Sequence, residues 1–337
     1  MNKFTSLHHL NLFIHMGMDY PITSEVYPYF YQKGYRIKFI SFLLQVPKLT
    51  KDKIQKQINT SINANVVPEL IYENIETREL ILLECKLLDI KYDPTNRDVK
   101  QAFGYLSLND KEIFEYMGGI GEQNKSKLFY SVLHENQSSY EEVLNTIAGI
   151  VKNTASDHLP FEVSGIKVNG NEIDLCLKNS ETGDIEEHHI TSDPLLLIIP
   201  IDPEVNLKNE YGREVLEQNL KMTIATKICP FVGYKNIQFS LEDVCEEIIP
   251  VWRLWSKHPK TKIRELIKYY MRQLSKELEK IGLKIILDRG VYQIEKTDLK
   301  IGEKVRNFFR FNSSEYIEKD SLDSFEQMVI EEWIGEI

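Results

Sequence analysis

The sequence predicts a mixed α/β fold, and three observations carry that expectation. Helical and strand periods alternate through the first 155 residues. From 158 to 203 short strands are separated by "VNGN", "NSETGD" and "TSDP", all turn chemistry. Beyond them a basic, strongly helical stretch is closed by a strand hairpin. At 337 residues the chain is also too long for one ordinary core. The expected divisions are 1–155, a β-rich middle or elaboration at 156–235, a basic unit at 236–312 and an acidic tail at 313–337.

In chain order, "SEVYPYFYQKG" places Ser24 to cap a short aromatic helix ending near Gly34. "YRIKFISFLL" reads as a strand, and "VPKLTKDKIQKQINTSINAN" as a helix and loop. "VVPELIYEN" and "TRELILLECKLL" read as two strands about a short polar turn. "PTNRDVKQAFGYL" is a capped helix, "KLFYSVLHE" a strand and "SYEEVLNTIAGIVKN" an amphipathic helix, with Val143, Ile147 and Ile150 at helical spacing. Helices are expected at about 209–226, from Leu241 to about Trp255, and at 260–281. "KIILDRGVYQIE" is a hairpin about Asp-Arg-Gly. No internal repeat is visible.

Composition narrows the function classes. The chain is 42% hydrophobic and 27% charged, and no apolar stretch approaches the ~18–20 residues of a membrane span. The N-terminus lacks a long h-region and reads as mature sequence. Four scattered cysteines form neither a C-x-x-C nor a zinc spacing, which points to a reduced cytoplasmic protein. The net charge of −10 argues against uniform coating by nucleic acid. Its distribution is uneven. Residues 252–310 hold sixteen Lys/Arg against seven Asp/Glu, whereas the last 24 residues hold eight acids and one lysine.

The stretch "ELILLECKLLDI" poses the chemical question. Glu84 and Lys86 lie two apart in an otherwise apolar strand, so both point to one face, about 6.5–7 Å apart. Burying either charge alone costs several kcal/mol. If 66–73 and 79–88 form a hairpin about 75–77, residues summing to about 153 are opposite, and Glu69 falls across from Glu84. Two facing carboxylates need a proton or a cation between them. Mg²⁺ (or Mn²⁺) suits a carboxylate-and-water shell. A lysine on the same face would orient or deprotonate a bound water, or stabilise charge on a phosphate. The competing reading is an ordinary ion pair on an edge strand, which Leu80, Leu82 and Leu88 on the same face disfavour.

Pro68-Glu69 followed by Glu84-Cys85-Lys86 resembles the PD-(D/E)xK, or restriction-endonuclease-like, nuclease superfamily. Its αβββαβ core order matches the reading of residues 24–133. The resemblance implies a metal-dependent endonuclease, with Glu69 and Glu84 as metal ligands and Lys86 as the catalytic lysine. It adds Gln101 on the helix after the motif strand and Glu25 on the helix before the first strand. Glu69 stands where aspartate is commoner. Without the resemblance, Gln101 is an ordinary helix-surface glutamine and Glu25 compensates a helix dipole. Restriction or phage defence is the implied setting, by analogy.

The helix at 260–281 has Ile263, Leu266, Ile267, Tyr270, Leu274, Leu278 and Ile281 on one face, and Arg264, Lys268, Arg272, Lys276 and Lys280 on another. With a helix before it and a hairpin after it, this segment resembles a winged-helix unit. That implies groove contacts from Arg264, Lys268, Arg272 and Lys276, and backbone contacts near the wing from Lys284, Arg289 and Lys296. The alternative is a solvated helix face. The expected partner is nucleic acid, DNA favoured, with a partner protein or second copy as a further expectation and no membrane. The competing function is a catalytically inactive nucleic-acid-binding or scaffold subunit on a nuclease-like fold. "EEHH" (Glu186–His189) reads as a polar strand, "GGIGEQNKSK" lacks a Walker order, and the acidic tail reads as a packed final helix.

Overall fold

Seven strands, most of them rich in Ile, Leu, Val and aromatic residues, pair into a single sheet with helices packed on both of its faces. The computed structural model describes residues 4–18, 26–117, 125–155, 157–179, 182–195, 197–199, 210–249 and 251–319, with backbone alone for 155, 210–215 and 311–319. The chain is a mixed α/β protein of two compact units, residues 1–204 with 254–259 and residues 205–253 with 260–337. No helix among the described residues is long and apolar enough to cross a membrane.

In the first unit, α1 (Ser6–Met16) and α2 (Tyr29–Gln32) precede β1 (Tyr35–Ile40). A side pair, β2 (Leu44–Gln45) and β3 (Asn65–Val66), brackets α3 (Lys48–Ile58). Next come β4 (Leu70–Asn74), β5 (Leu80–Lys86), α4 (Arg97–Leu106), α5 (Asp110–Tyr116), β6 (Ser126–Leu133) and α6 (Gln137–Ala155). Then β7 (Phe161–Asn169), β8 (Glu172–Lys178) and β9 (Ile185–Thr191) complete the sheet in the order β1-β4-β5-β6-β7-β8-β9. The β1-β4-β5 part is an antiparallel meander, while β5-β6 and β6-β7 are parallel. The parallel strands need crossover connections, which α4 and α6 supply.

The expected β-rich middle is therefore an extension of the first sheet. Strand β7 pairs in parallel with β6, and β8 and β9 add antiparallel outside it. The turn-rich pattern identified the outer hairpins; the long-range β6-β7 pairing has no local signal. The helix expected at 209–226 is α7 (Glu210–Ile228), which belongs to the second unit.

One face of the sheet packs Leu80, Leu82, Tyr130 and Val132 against Ile54 of α3, Phe103 of α4, and Leu144 and Ile147 of α6. The other carries Tyr72, whose hydroxyl donates to the Phe13 carbonyl of α1 at 2.5 Å and whose ring stacks on Phe30 at 4.8 Å. Each buried side chain of this kind contributes ~1.5–3 kcal/mol. Helix α4 starts at Asn96, whose side chain accepts from the Asp98 N–H at 2.7 Å. It lies close on the β2-β3 side pair because residue 104 is glycine: a Cβ there would sit 2.6 Å from Val66 Cγ1. A larger residue would push Gln101 and Tyr105 off the strands they address.

The second unit comprises α7, β10 (Ile237–Ser240), α8 (Leu241–Ile248), α9 (Lys257–Lys280) from Lys260 onward, β11 (Ile286–Asp288), β12 (Val291–Ile294) and α10 (Leu299–Lys319). Its sheet runs β10-β12-β11. The helix expected to run from Leu241 to Trp255 stops at Ile248, and a single tight turn occupies Trp252–Leu254. Asp288 pairs with Val291, and the two residues between them, Arg289 and Gly290, both have positive φ (49° and 83°). That is the two-residue turn whose twist matches a hairpin. The start of the expected tail continues α10, and 320–337 lie outside the described residues.

Candidate functional site

The site grows from the β4-β5 hairpin. Asn74 closes the turn, its side-chain oxygen accepting from the Glu76 and Thr77 N–H groups at 3.0 Å each. This fixes Leu70 opposite Leu83 and Glu73 opposite Leu80, the expected sum of 153. Alternation along β5 then sends Glu84 and Lys86 to the α4 face and Cys85 to the α1 face.

Glu84 is 1% exposed. Its Oε1 accepts from Gln101 Nε2 at 2.9 Å and meets Lys86 Nζ at 2.9 Å, while its Oε2 accepts from the Tyr105 hydroxyl at 2.6 Å. Lys86 Nζ also donates to Gln101 Oε1 at 2.9 Å and pairs with Asp98 Oδ1 at 3.0 Å. One ammonium thus sits among three oxygens, and one glutamine amide bridges the lysine and the glutamate. Burial pulls the Lys86 ammonium down, but the charges of Glu84 and Asp98 outweigh it and hold Lys86 above the ordinary lysine range. The ring is closed, mostly buried and electrically compensated. A solvent-facing edge pair is excluded.

Glu69 is placed differently from the expectation. Its N–H bonds the Leu83 carbonyl at 2.9 Å, the carbonyl of the residue already paired with Leu70. Two residues of one strand therefore face one of the next, a bulge. The cause lies in the neighbouring residue: Pro68 has no N–H, so the ladder cannot continue in register past Leu70. The bulge turns the Glu69 carboxylate to the Cys85 thiol, on the face opposite Glu84. Burial first, then Glu69, pushes that thiol well above its usual value. The ladder thus ends at Leu70–Leu83, and Glu69 lies beside Cys85 instead of pairing with Glu84.

For a hard divalent cation the donors fit in kind, since the acids of the motif offer carboxylate oxygens and no imidazole stands among the groups bonded to Glu84. In the arrangement observed, Lys86 takes the central place among the oxygens. Among the described residues no three His, Cys, Asp or Glu side chains are grouped to hold an ion.

Gln101 falls where the sequence placed it, and Glu25 lies outside the described residues. Sequence reasoning missed Asp98 and Tyr105. Both were within reach, being three before and four after Gln101, on the same helix face. In the second unit, Arg264 is engaged internally: Nη2 and Nε lie 2.6 and 3.1 Å from Glu242 Oε2, and the guanidinium is 5.6 Å from the Trp252 ring. Lys268 pairs with Glu265 at 2.7 Å. Arg272 and Lys276 are exposed, as are Lys284, Arg289 and Lys296, and none of these has an ion pair among the described residues. In "EEHH" the histidines face opposite sides, His188 against the Tyr29 ring and His189 between Asp174 at 2.8 Å and Ser192 at 3.0 Å. Compared with known proteins, the chain matches no family model, no curated protein and no solved structure.

Proposed function

We propose that this protein is a metal-dependent phosphodiester hydrolase acting on nucleic acid, DNA favoured. The observation that carries the reading is the buried Glu84–Gln101–Lys86 ring at the junction of β5 and α4. An ion pair in an apolar interior is expensive, and a merely structural need is better met by hydrophobic residues. The meander followed by a parallel strand supports the resemblance to PD-(D/E)xK nucleases. Mg²⁺ or Mn²⁺, held by Glu84 with Glu69 as second carboxylate once it leaves Cys85, would supply polarisation of the phosphate and of water.

The chain's own groups have distinct tasks. Lys86, held by three acceptors, serves as a fixed positive charge for a developing phosphorane rather than as a base. Gln101 keeps Glu84 and Lys86 in register with each other. In the second unit, the order helix–strand–helix–helix–strand–strand supports a winged-helix reading. There Arg272, Lys276 and Arg289 are the cations presented to phosphate. Arg264 belongs instead to the internal Glu242–Trp252 contact. With all four cysteines free, a reducing cytoplasmic setting suits the chain, in restriction or phage defence by analogy.

The capture of Glu69 by Cys85 favours a second reading, a nucleic-acid-binding scaffold whose carboxylates take no metal. Incubation with plasmid and single-stranded substrates separates the two. Cleavage should require Mg²⁺ or Mn²⁺, stop with chelator and fall at least ~10³-fold in Glu84→Gln. Binding without cleavage under either metal selects the scaffold. Reversing charge at Arg272 and Lys276 together should weaken DNA binding and flatten the log–log salt dependence by roughly 2. An unaltered salt slope removes α9 as the main contact.

A further inference from the structure

Beside Glu84 stands a hydroxyl that the ring does not use. Tyr130 pairs with Glu84 across the parallel β5-β6 ladder, so the two side chains share a face. It is 1% exposed, set edge-on to the Tyr105 ring at 6.4 Å and tilted against the Tyr140 ring at 5.8 Å. Its hydroxyl is buried and has no hydrogen-bond partner. After burial itself, the charges this hydroxyl feels are Glu84 and Lys86, with Tyr140 and Asp98 next. Its place opposite Glu84 on the same sheet face sets it beside the charged cluster.

Such a hydroxyl is unfavourable where it stands. Buried polar groups are almost always satisfied, and an exception marks either a functional position or a bound solvent molecule. Phenylalanine would fill the same space without the desolvation cost. Acceptor capacity is available nearby, because a carboxylate offers about four lone-pair sites. Glu84 uses three of these for Gln101, Lys86 and Tyr105, and Asp98 is bonded through one oxygen to Lys86.

We infer that Tyr130 is a positioning residue of this site, its hydroxyl holding one buried water against the Glu84 and Asp98 carboxylates. A water so held has the two or more polar partners that a buried water needs. It ties β6 to the β5–α4 cluster and keeps Glu84 and Lys86 aligned when substrate arrives. The catalytic consequence rests on the hydrolase reading; the water position does not.

Tyr130→Phe tests both, because losing one water-mediated hydrogen bond does not itself unfold the protein. Expected are a folded variant whose melting temperature falls by no more than a few degrees, a kcat at least ~10-fold lower and a KM within about two-fold. A high-resolution crystal structure of the wild type should show an ordered oxygen within hydrogen-bond distance of Tyr130 Oη, missing from the variant. Variant kcat within two-fold of wild type, or no ordered oxygen at Tyr130 Oη, overturns the inference. Wild type that cleaves nothing but carries that oxygen upholds the water position and defeats the hydrolase reading instead.

Discussion

Lys86→Ala should destabilise the protein by about 3–5 kcal/mol at neutral pH and fall at least ~10³-fold in any cleavage activity. The magnitude follows from burial. Glu84 has 2% of its side chain exposed and meets Lys86 at 2.9 Å, so removing the ammonium strands a carboxylate in the interior. An exposed pair of the same geometry would be worth ~0–1 kcal/mol. A loss near that lower figure in chemical denaturation would show that the ring is open to water and that Glu84 and Lys86 are a surface pair.

The pH dependence gives a second check. In the wild type, the folded Lys86 value lies above the ordinary lysine value. Its stabilising contribution is therefore fully present below that ordinary value, and is lost only as pH rises through the higher folded one. Across neutral pH it is flat. Glu84→Gln with Lys86→Met removes both charges and should recover most of the lost stability while staying inactive.

Much of this site was legible in the sequence because it depends on local periods. The two-residue repeat placed Glu84 and Lys86 on one face, and the short Ile75–Thr77 turn set the hairpin sum. The placement of Glu69 was hidden by a single missing N–H. Pro68 was visible, but a bulge is settled by the backbone ladder, and one extra residue changes which face a side chain takes. Helix α1 was missed for a related reason. His9, Asn11 and His15 lie on it buried at 0%, 0% and 5%, so its polar residues do not mark a solvent face. Arg264 looked like one of five equivalent cations because Glu242 and Trp252, its partners, come from elements before the helix.

The same hidden helix supplies the second large effect, an acid-side loss of stability centred on His9. This imidazole is fully buried between the Phe4 and Phe13 rings, at 5.5 and 5.7 Å, and its Nε2 lies 2.7 Å from Ser131 Oγ. Burial lowers its pKa from 6.5 to about 3. In that window the unfolded chain binds a proton at His9 and the native one does not, so native stability is complete above pH 6.5 and falls as pH drops towards 3. The slope is at most ~1.4 kcal/mol per pH unit, for a total on the order of 5 kcal/mol. His9→Gln keeps a polar group within reach of Ser131 but cannot titrate. Unfolding free energies of the two proteins, measured at steps from pH 7.5 to 4, should converge as pH falls, because the carboxylates common to both cancel in the difference. If the two curves instead run parallel below pH 6.5, His9 is already protonated in the native state, and α1 is not docked on the sheet in solution as tightly as the Ser131 contact requires.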